Sequence, residues 1–329
     1  MFFMIKWGVL GNAGIAKKEI LPAILRAENA EITAIASRGD QVKETAEKFS
    51  IPKVYRTYDD LLQDEEIQVV YIPLPNALHK EWVIKAAEHK KHVLCEKPAA
   101  ITVEDVEAMI QACNDNGVLF MEAFMYQFHP QHERVKEIIA SGEIGTVQRL
   151  TSTFSFTMDL SQDNIRLNPE LGGGSLFDVG CYCIHTFRNL LDEEPIDVYC
   201  DGVFSEQKVD LSAHGIIRFP NNVMATFDSS FQQYPINDYA VVGSNGTIHV
   251  TDAFRPDKND HIGKIIVSTN DTSRTEEVAG DQYKLQIEHF SQSVINNEQP
   301  VYSSEKIVKN MIALTKCQQS LMERTIVTF

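Results

Sequence analysis

"GVLGNAGIAKK", Gly8 to Lys18, ends an apolar strand in a turn of small residues and runs on into a helical pattern. Gly11, Ala13 and Ala16 fit a G-x-A-x-x-A form of the dinucleotide fingerprint. Gly11 permits the tight turn, Ala13 lets backbone approach a pyrophosphate, and Ala16 lets the helix pack closely on the strand. The amides of Ala13, Gly14 and Ile15, following Asn12 in the turn, would then open the helix toward the phosphates. A plain strand-to-helix turn can use the same residues. Position after a first strand and before a helix favours the cofactor reading. Pro22 is expected to kink this helix.

The pattern around this turn sets the fold. Apolar runs at Ile5–Leu10, Ile32–Ala36, Val69–Leu74, Val93–Cys95 and Val118–Met121 alternate with helix-length stretches such as Lys80–His89 and Val103–Asn116. Short all-apolar strands separated by helices mean a parallel sheet covered on both faces. After about Glu122 the runs lengthen and alternate, as in "TVQRLTSTFSF", "HGIIRF", "VMATFDSSF" and "YAVVG", with turn signals at Asn221-Asn222 and Asn245-Gly246. That predicts a largely antiparallel sheet. Helices are expected from about Tyr283 to Asn296 and from Ser304 to Arg324. The expected fold is α/β: a doubly wound parallel Rossmann sheet over residues 1–123, then an α+β substrate-binding and oligomerisation domain with a large, mostly antiparallel sheet over 124–329. The C-terminal helix is free to pack back on the first domain.

Composition narrows the function. A 329-residue chain that is 43% hydrophobic buries a sizeable core. A net charge of −16 argues against nucleic-acid binding, which needs a basic face. "MFFMIKWGVLG" has no basic region before its apolar stretch, so it does not read as a secretory signal. No run approaches a membrane span. The six cysteines lack zinc-ligand pairing, and Cys181 and Cys183 read as helix residues. Reduced thiols in a cytoplasmic protein are the simplest account, with no metal.

The second strand bears on the dinucleotide. NAD-preferring sheets place an acid at its end, to hold the ribose hydroxyls. Here "ITAIASRGD" ends in Ser37-Arg38, with Asp40 past the turn. Ser37 can bond a 2′-phosphate and Arg38 can pair with it and stack on adenine. An exposed loop arginine is the alternative. NADP is favoured, with NAD possible.

Two further stretches carry chemistry. "LCEKPA", Leu94 to Ala99, sets Glu96 and Lys97 side by side at a strand end, either as an exit into solvent or as working groups. In "LGGGSLFDVGCYCIHTFRNLL" a helix is expected after the glycines, with Ser175 near its start. Helical spacing then aligns Asp178, Tyr182, His185 and Asn189 on one stripe, and Leu176, Val179, Phe187 and Leu190 on the opposite, core-facing side. The polar stripe has no Lys or Glu, which suits a pocket wall better than a solvent face.

Taken together, "GVLGNAGIA", "PLPNALH", "EKP" and "GGGSLFDVGCYCIH" occur in an order that resembles the Gfo/Idh/MocA oxidoreductase superfamily over nearly the whole chain. The resemblance implies that Lys97 sits by the nicotinamide and the reacting hydroxyl, with Glu96, Leu74, Asn76 and His79 on the cofactor side and the Lys97–Pro98 bond often cis. A lysine beside a cationic nicotinamide has a lowered pKa, which suits acid–base work. Tyr182 stands where many members have histidine, as in the branch resembling dimeric dihydrodiol dehydrogenase, glucose–fructose oxidoreductase and NADP-dependent xylose dehydrogenase. There the tyrosine is the acid–base residue and the lysine depresses its pKa. Asp178 would hold a substrate hydroxyl or Lys97, and His185 would stand behind.

"EAFMYQFHP", Glu122 to Pro130, also resembles this branch, where Tyr126, Phe128 and His129 line the pocket; Gln127 replaces a common arginine. Arg166 is a second candidate for reaching substrate or cofactor, or else a surface loop arginine. The resemblance implies NADP(H)-dependent, metal-independent hydride transfer to or from a carbon of a sugar, polyol or cyclic diol, by a homodimer or dimer of dimers. The rivals are a non-catalytic dinucleotide-sensing regulator of the same fold and a glycosidase with tightly held NAD.

Overall fold

The computed structural model describes residues 4–329. The first three residues of the N-terminal stretch read as non-secretory lie outside the described residues. The chain divides into two units. One holds the residues up to Met125 together with Tyr283–Val308, and the other holds Tyr126–Gln282 together with Lys309–Phe329. Trp7 shows why the first unit draws in a late segment. Its fully buried indole donates from Nε1 to Ser291 Oγ at 3.1 Å and meets Phe290 edge-on at 5.9 Å.

In the first unit, β1 (Ile5–Leu10), β2 (Ala30–Ala36), β3 (Lys53–Tyr55), β4 (Val69–Ile72), β5 (His92–Glu96) and β6 (Phe120–Ala123) form one sheet in the order β3-β2-β1-β4-β5-β6. Every pairing in it is parallel. Helices α1 (Leu21–Arg26), α2 (Gln41–Phe49), α3 (Tyr58–Leu62), α4 (His79–Glu88) and α5 (Val103–Asn116) connect the strands. Val9, Leu10, Ile35, Val69–Ile72 and Val93–Cys95 have no exposed surface. Burial on both faces is what makes these strands read as unbroken apolar runs. Local caps set the helix ends: Thr102 Oγ1 accepts the Asp105 N–H at 3.2 Å, and Gly117, at φ +67°, closes α5. The strand order reverses between β1 and β4, and sheets of this kind take ligands at the carboxyl ends flanking that reversal.

The second unit is built on nine strands: β7 (Val147–Thr157), β8 (Asp197–Phe204), β9 (Asp210–Arg218), β10 (Met224–Ser230), β11 (Gln232–Gly243), β12 (Gly246–Thr251), β13 (Ile262–Thr269), β14 (Ser273–Ala279) and β15 (Val327–Thr328). Their order is β14-β13-β12-β11-β7-β10-β9-β8-β15, antiparallel throughout except that β7 runs parallel to β10. Asn221 and Asn222, at φ +58° and +60°, make the turn between β9 and β10 where the sequence marks one. α6 (Pro130–Ala140) and α7 (Cys181–Leu191) also belong to this unit, and α7 packs on β7, β10 and α6. Two late helices, α8 (Gln282–Asn296) and α9 (Ser304–Glu323), complete the described elements beside short 3₁₀ and π turns.

Two helices begin with π winding, at Ala16–Ile20 and Leu176–Gly180. In the first, Leu21 N–H reaches back to Ala16 O, and Pro22 falls in the opening turn of α1 just beyond. The irregularity expected at Pro22 thus takes the form of a wide turn ahead of it. Such turns occur often at functional segments. All six cysteines are free and buried. Among the described residues no helix is long and apolar enough to cross a membrane.

Candidate active site

Gly11, at φ +126°, makes the turn after β1, and its N–H donates to Ala36 O at 2.8 Å. That backbone conformation favours glycine, and a Cβ there would press on Leu74 Cδ2 at 3.3 Å. Gly14 is exposed, with nothing within 4 Å of the place a Cβ would take. The helix therefore starts against open space, with Ala13, Gly14 and Ile15 supplying first-turn N–H groups that a helix cannot satisfy internally. Asn12 Oδ1 accepts from Thr45 Oγ1 at 2.9 Å, which ties the turn to α2.

Just past β2, Ser37 is half-buried and Arg38 exposed. Asp40 is turned to Arg56 in an ion pair of 2.9 Å. Tyr58, which the sequence reading passed over, stands nearby. Burial pushes its pKa up and the Arg38 charge pulls against that. These donors, the open helix start and the Arg38 cation fit a phosphorylated dinucleotide.

At the end of β5, Tyr71 O–H donates to Glu96 Oε1 at 2.5 Å. Burial first, and then the Glu96 charge, raise the pKa of that phenol. Lys97 is half-buried, and its bond to Pro98 is cis. Beneath this corner lies Glu122, 1% exposed, which accepts the Ala99 N–H at 2.7 Å and the Tyr302 O–H at 3.1 Å. The sequence reading gave Glu122 no role, because its partners lie 23 and 180 residues away.

Leu74 and Asn76 are half-buried beyond β4, with Asn76 opening a 3₁₀ turn. His79, which the resemblance sets on the cofactor side, is buried beneath this corner. Its ring has no exposed surface; Nε2 lies 2.8 Å from Leu74 O, and Nδ1 lies 3.1 and 3.2 Å from Pro98 O and Ala99 O. It braces the backbone on either side of the Glu96–Lys97 corner.

In the second unit, Arg166 Nε donates to Asp178 Oδ2 at 2.6 Å, and its guanidinium stands 5.9 Å from the centre of the Phe156 ring. Asp178 first, and also Tyr182, raise the pKa of this arginine. The three groups therefore form one electrostatic cluster. Tyr182 is 6% exposed, with the rings of Phe154, Phe254 and Tyr126 at 5.2, 5.3 and 5.8 Å.

Tyr126 was expected to line the pocket and His185 to stand behind it. The structure instead buries both, at 0% and 2% exposure, with Tyr126 Oη 2.6 Å from His185 Nδ1. Thr186 Oγ1 bonds the same phenol at 3.0 Å and the Tyr182 carbonyl at 2.8 Å. Together they back the Tyr182 segment. Phe128 is half-buried in a 3₁₀ turn; His129 is buried, and its Nδ1 caps α6 by accepting from Gln131 N–H at 3.2 Å. Gln127, in the place of a common arginine, has a buried Nε2 with no hydrogen-bond partner among the described residues.

The expected division of this helix into a pocket stripe and a core stripe does not hold. Every residue from Cys181 to Arg188 is buried, and Asn189 accepts from Lys136 Nζ on α6 at 3.1 Å. Elements pack on several sides of α7, and the π turn before it breaks the 3.6-residue spacing between Asp178 and the rest. The stripe is polar largely because its members bond inside the unit. Arg166, Asp178 and Tyr182 thus come together in one unit, and Leu74, His79, Glu96, Lys97 and Glu122 in the other.

Residues 5–124 match the oxidoreductase family with an NAD-binding Rossmann fold, and residues 132–249 match the GFO/IDH/MocA C-terminal domain. The chain belongs to the Gfo/Idh/MocA oxidoreductase family. It is 36% identical over 323 residues to D-xylose 1-dehydrogenase (NADP(+)) 2 of Haloferax volcanii, covering 95% of this chain and 96% of that one. The fold is similar to aldose-aldose oxidoreductase from Caulobacter crescentus, with a TM-score of 0.91, 25% identity, and coverage of 99% and 100%. KijD10, a 3-ketoreductase from Actinomadura kijaniata solved with NADP and TDP-benzene, gives a TM-score of 0.90 at 29% identity, covering 97% and 98%.

Proposed function

We propose that this protein is an NADP(H)-dependent oxidoreductase that transfers a hydride between the nicotinamide and a secondary alcohol or ketone carbon of a sugar, polyol or cyclic diol, without a metal. The observation that carries the reading is the Arg166–Asp178 pair at 2.6 Å, with Tyr182 near enough to help raise the arginine's pKa. Relatives named as an NADP-linked xylose dehydrogenase, a 3-ketoreductase and a dihydrodiol dehydrogenase support the substrate class.

The N–H groups of Ala13, Gly14 and Ile15 hold the pyrophosphate, while Ser37 and Arg38 hold the 2′-phosphate. A nicotinamide dinucleotide held by these residues would supply the hydride donor or acceptor. Tyr182 exchanges the hydroxyl proton. The Arg166 charge favours the Tyr182 phenolate, since a nearby opposite charge stabilises the ionised form, and the family resemblance assigns the same part to Lys97. Asp178 accepts a hydrogen bond from a substrate hydroxyl, and Gln127 Nε2 offers a donor to a substrate oxygen. The test is a panel of aldoses, polyols and ketoaldehydes followed by NADPH absorbance. Turnover of at least one supports the reading, and a folded, NADPH-binding protein inert toward the whole panel contradicts it.

The same reading makes the protein a cytoplasmic homodimer or dimer of dimers. Its support is the outer face of β8–β10, which exposes Tyr199, Val203, Ile216 and Met224 at 38, 53, 48 and 37%. Apolar side chains grouped in this way mark association surfaces. Light scattering at micromolar concentration is expected to give twice the chain mass or more, and a monomer refutes the assignment.

A further inference from the structure

Asp210 opens β9, 32 residues beyond Asp178 and outside every motif described above. It is nevertheless 8% exposed, and its Oδ2 accepts two hydrogen bonds from the start of the Tyr182 helix: from Ser175 Oγ at 2.8 Å and from Leu176 N–H at 2.7 Å. Ser175 Oγ also lies 3.2 Å from Ser229 Oγ and 3.3 Å from Ser229 O on β10. The run of glycines before Ser175 makes room for this carboxylate. Gly174 sits at φ +123°, and a Cβ there would strike Asp210 Oδ1. Gly173 is as tightly placed, since its Cβ would meet Arg166 O at 2.5 Å.

One carboxylate thus fixes the loop that carries Arg166 and the first turn of the helix that carries Asp178 and Tyr182. The Gly174 N–H donates to Arg166 O at 2.9 Å, and the Asp178 N–H donates to Gly174 O at 3.0 Å. Every link from Asp210 to Asp178 is therefore one hydrogen bond or one residue long. Between that anchor and Tyr182 lies the π turn Leu176–Gly180, which holds one more residue per turn than an α-helix closes over. Released at its N-terminal end, such a turn can rewind, and rewinding rotates Asp178 relative to Tyr182.

We propose that Asp210 is a positioning residue for the reaction: by capping the π turn it sets the orientation of Asp178 and Tyr182 and of the Arg166 that binds Asp178. The inference rests on the reading of Tyr182 as the acid–base group. Burial pushes the Asp210 carboxyl up to about 6, so its negative charge is costly where it sits. The Ser175 hydroxyl and the Leu176 N–H both reach Oδ2, which an amide oxygen can replace, while the N–H groups of Ser175 and Asp210 favour the carboxylate more weakly. Asp210→Asn therefore keeps the cap, and Asp210→Ala removes it.

The test compares these two variants of the full chain, with Ser175→Ala as a milder loss of one donor. Asp210→Ala is expected to lower kcat about 10- to 100-fold, the usual result of a small misplacement of reacting groups, with KM and NADPH affinity nearly unchanged. Asp210→Asn is expected to restore most of kcat. Ser175→Ala should fall between the two, and it stands in for Asp210→Ala if that variant does not fold. Hydrogen exchange at amides 176–182 should speed up in Asp210→Ala and stay protected in Asp210→Asn, a readout that needs no activity. If no variant and no wild-type protein turns over any sugar or diol, the functional reading fails while exchange still decides the role of Asp210. Wild-type kcat and wild-type exchange in a folded Asp210→Ala overturn the proposal, as does a loss in Asp210→Asn equal to that in Asp210→Ala.

Discussion

Arg166 Nε lies 2.6 Å from Asp178 Oδ2, although the two residues sit on separate elements, a 3₁₀ turn and a π turn. The pair gives the second unit a cation that senses the Tyr182 charge, in addition to the lysine that family resemblance implies. Asp178 is thus engaged by Arg166, and on the proposed function it would have to share that carboxylate with a substrate hydroxyl.

Replacing Arg166 by Gln removes that cation while leaving a polar side chain. The phenol of Tyr182 then ionises at higher pH, because the charge that favoured the phenolate is gone. kcat/KM for alcohol oxidation is expected to fall about 10- to 100-fold near neutral pH and to recover partly as pH rises. Steady-state profiles over pH read this directly. An unshifted profile with normal kcat/KM removes Arg166 from the proton-transfer machinery.

Cofactor choice is a second outcome. With Ser37 and Arg38 at the end of β2 and Asp40 engaged by Arg56, no strand-end acid stands ready for a free ribose hydroxyl. NADPH should bind at least tenfold tighter than NADH, or ~1.4 kcal/mol. Arg38→Ala should erase most of that preference and leave NADH binding nearly unchanged. Equal affinities in a fluorescence titration of the wild type contradict the assignment.

Local signals were legible in the sequence. The strand Ile5–Leu10 and the helix Val103–Asn116 have the ends their residues indicate, because a glycine turn closes one while Thr102 and Gly117 bound the other. The parallel sheet and the mostly antiparallel second sheet were likewise readable from run length and alternation. What stayed hidden depends on contacts between distant segments. Glu122 under Ala99, Asp210 under Ser175 and the Ser291 bond to Trp7 have no local signature. The π turn at Leu176–Gly180 defeated the helical stripe for a different reason, since a fixed 3.6-residue period cannot register an inserted residue.

Acid sensitivity follows from His132. Its buried ring donates from Nε2 to Ala253 O (3.1 Å), and Nδ1 lies 2.9 Å from Tyr239 Oη. Burial pushes its pKa down from 6.5 to about 3. A folded-state pKa below the unfolded value means that the stabilisation is complete above pH 6.5 and is lost progressively as pH falls toward 3. His79, His92, His129 and His289 are shifted the same way by burial. Asp210, between 3.8 and about 6, and His214, raised by its hydrogen bond to Asp228, oppose the buried histidines, because a raised pKa makes the folded state hold a proton more tightly. Of these opponents His214 is a single histidine against five. Urea unfolding at about pH 7.5 and about pH 5 should show lower stability at the acid end, by an amount on the order of a few kcal/mol. His132→Asn should flatten the dependence, and a wild-type protein equally stable at both values contradicts this account.

The most direct test is the turnover of Tyr182→Phe on whichever sugar, polyol or diol the wild type accepts, measured alongside NADPH affinity. Removing the phenolic hydroxyl keeps the ring against Phe154 and Phe254 and deletes only the group assigned to move the proton. The account predicts a fall in kcat of roughly 10²–10⁴, the usual share of general acid–base catalysis, with NADPH binding unchanged. Lys97→Ala should lose at least as much, and the double variant little more, because residues acting as one unit are not additive. Near-normal turnover in Tyr182→Phe, with activity lost instead in His185→Ala, would show that the proton moves through the histidine and that Tyr182 is only part of its packing.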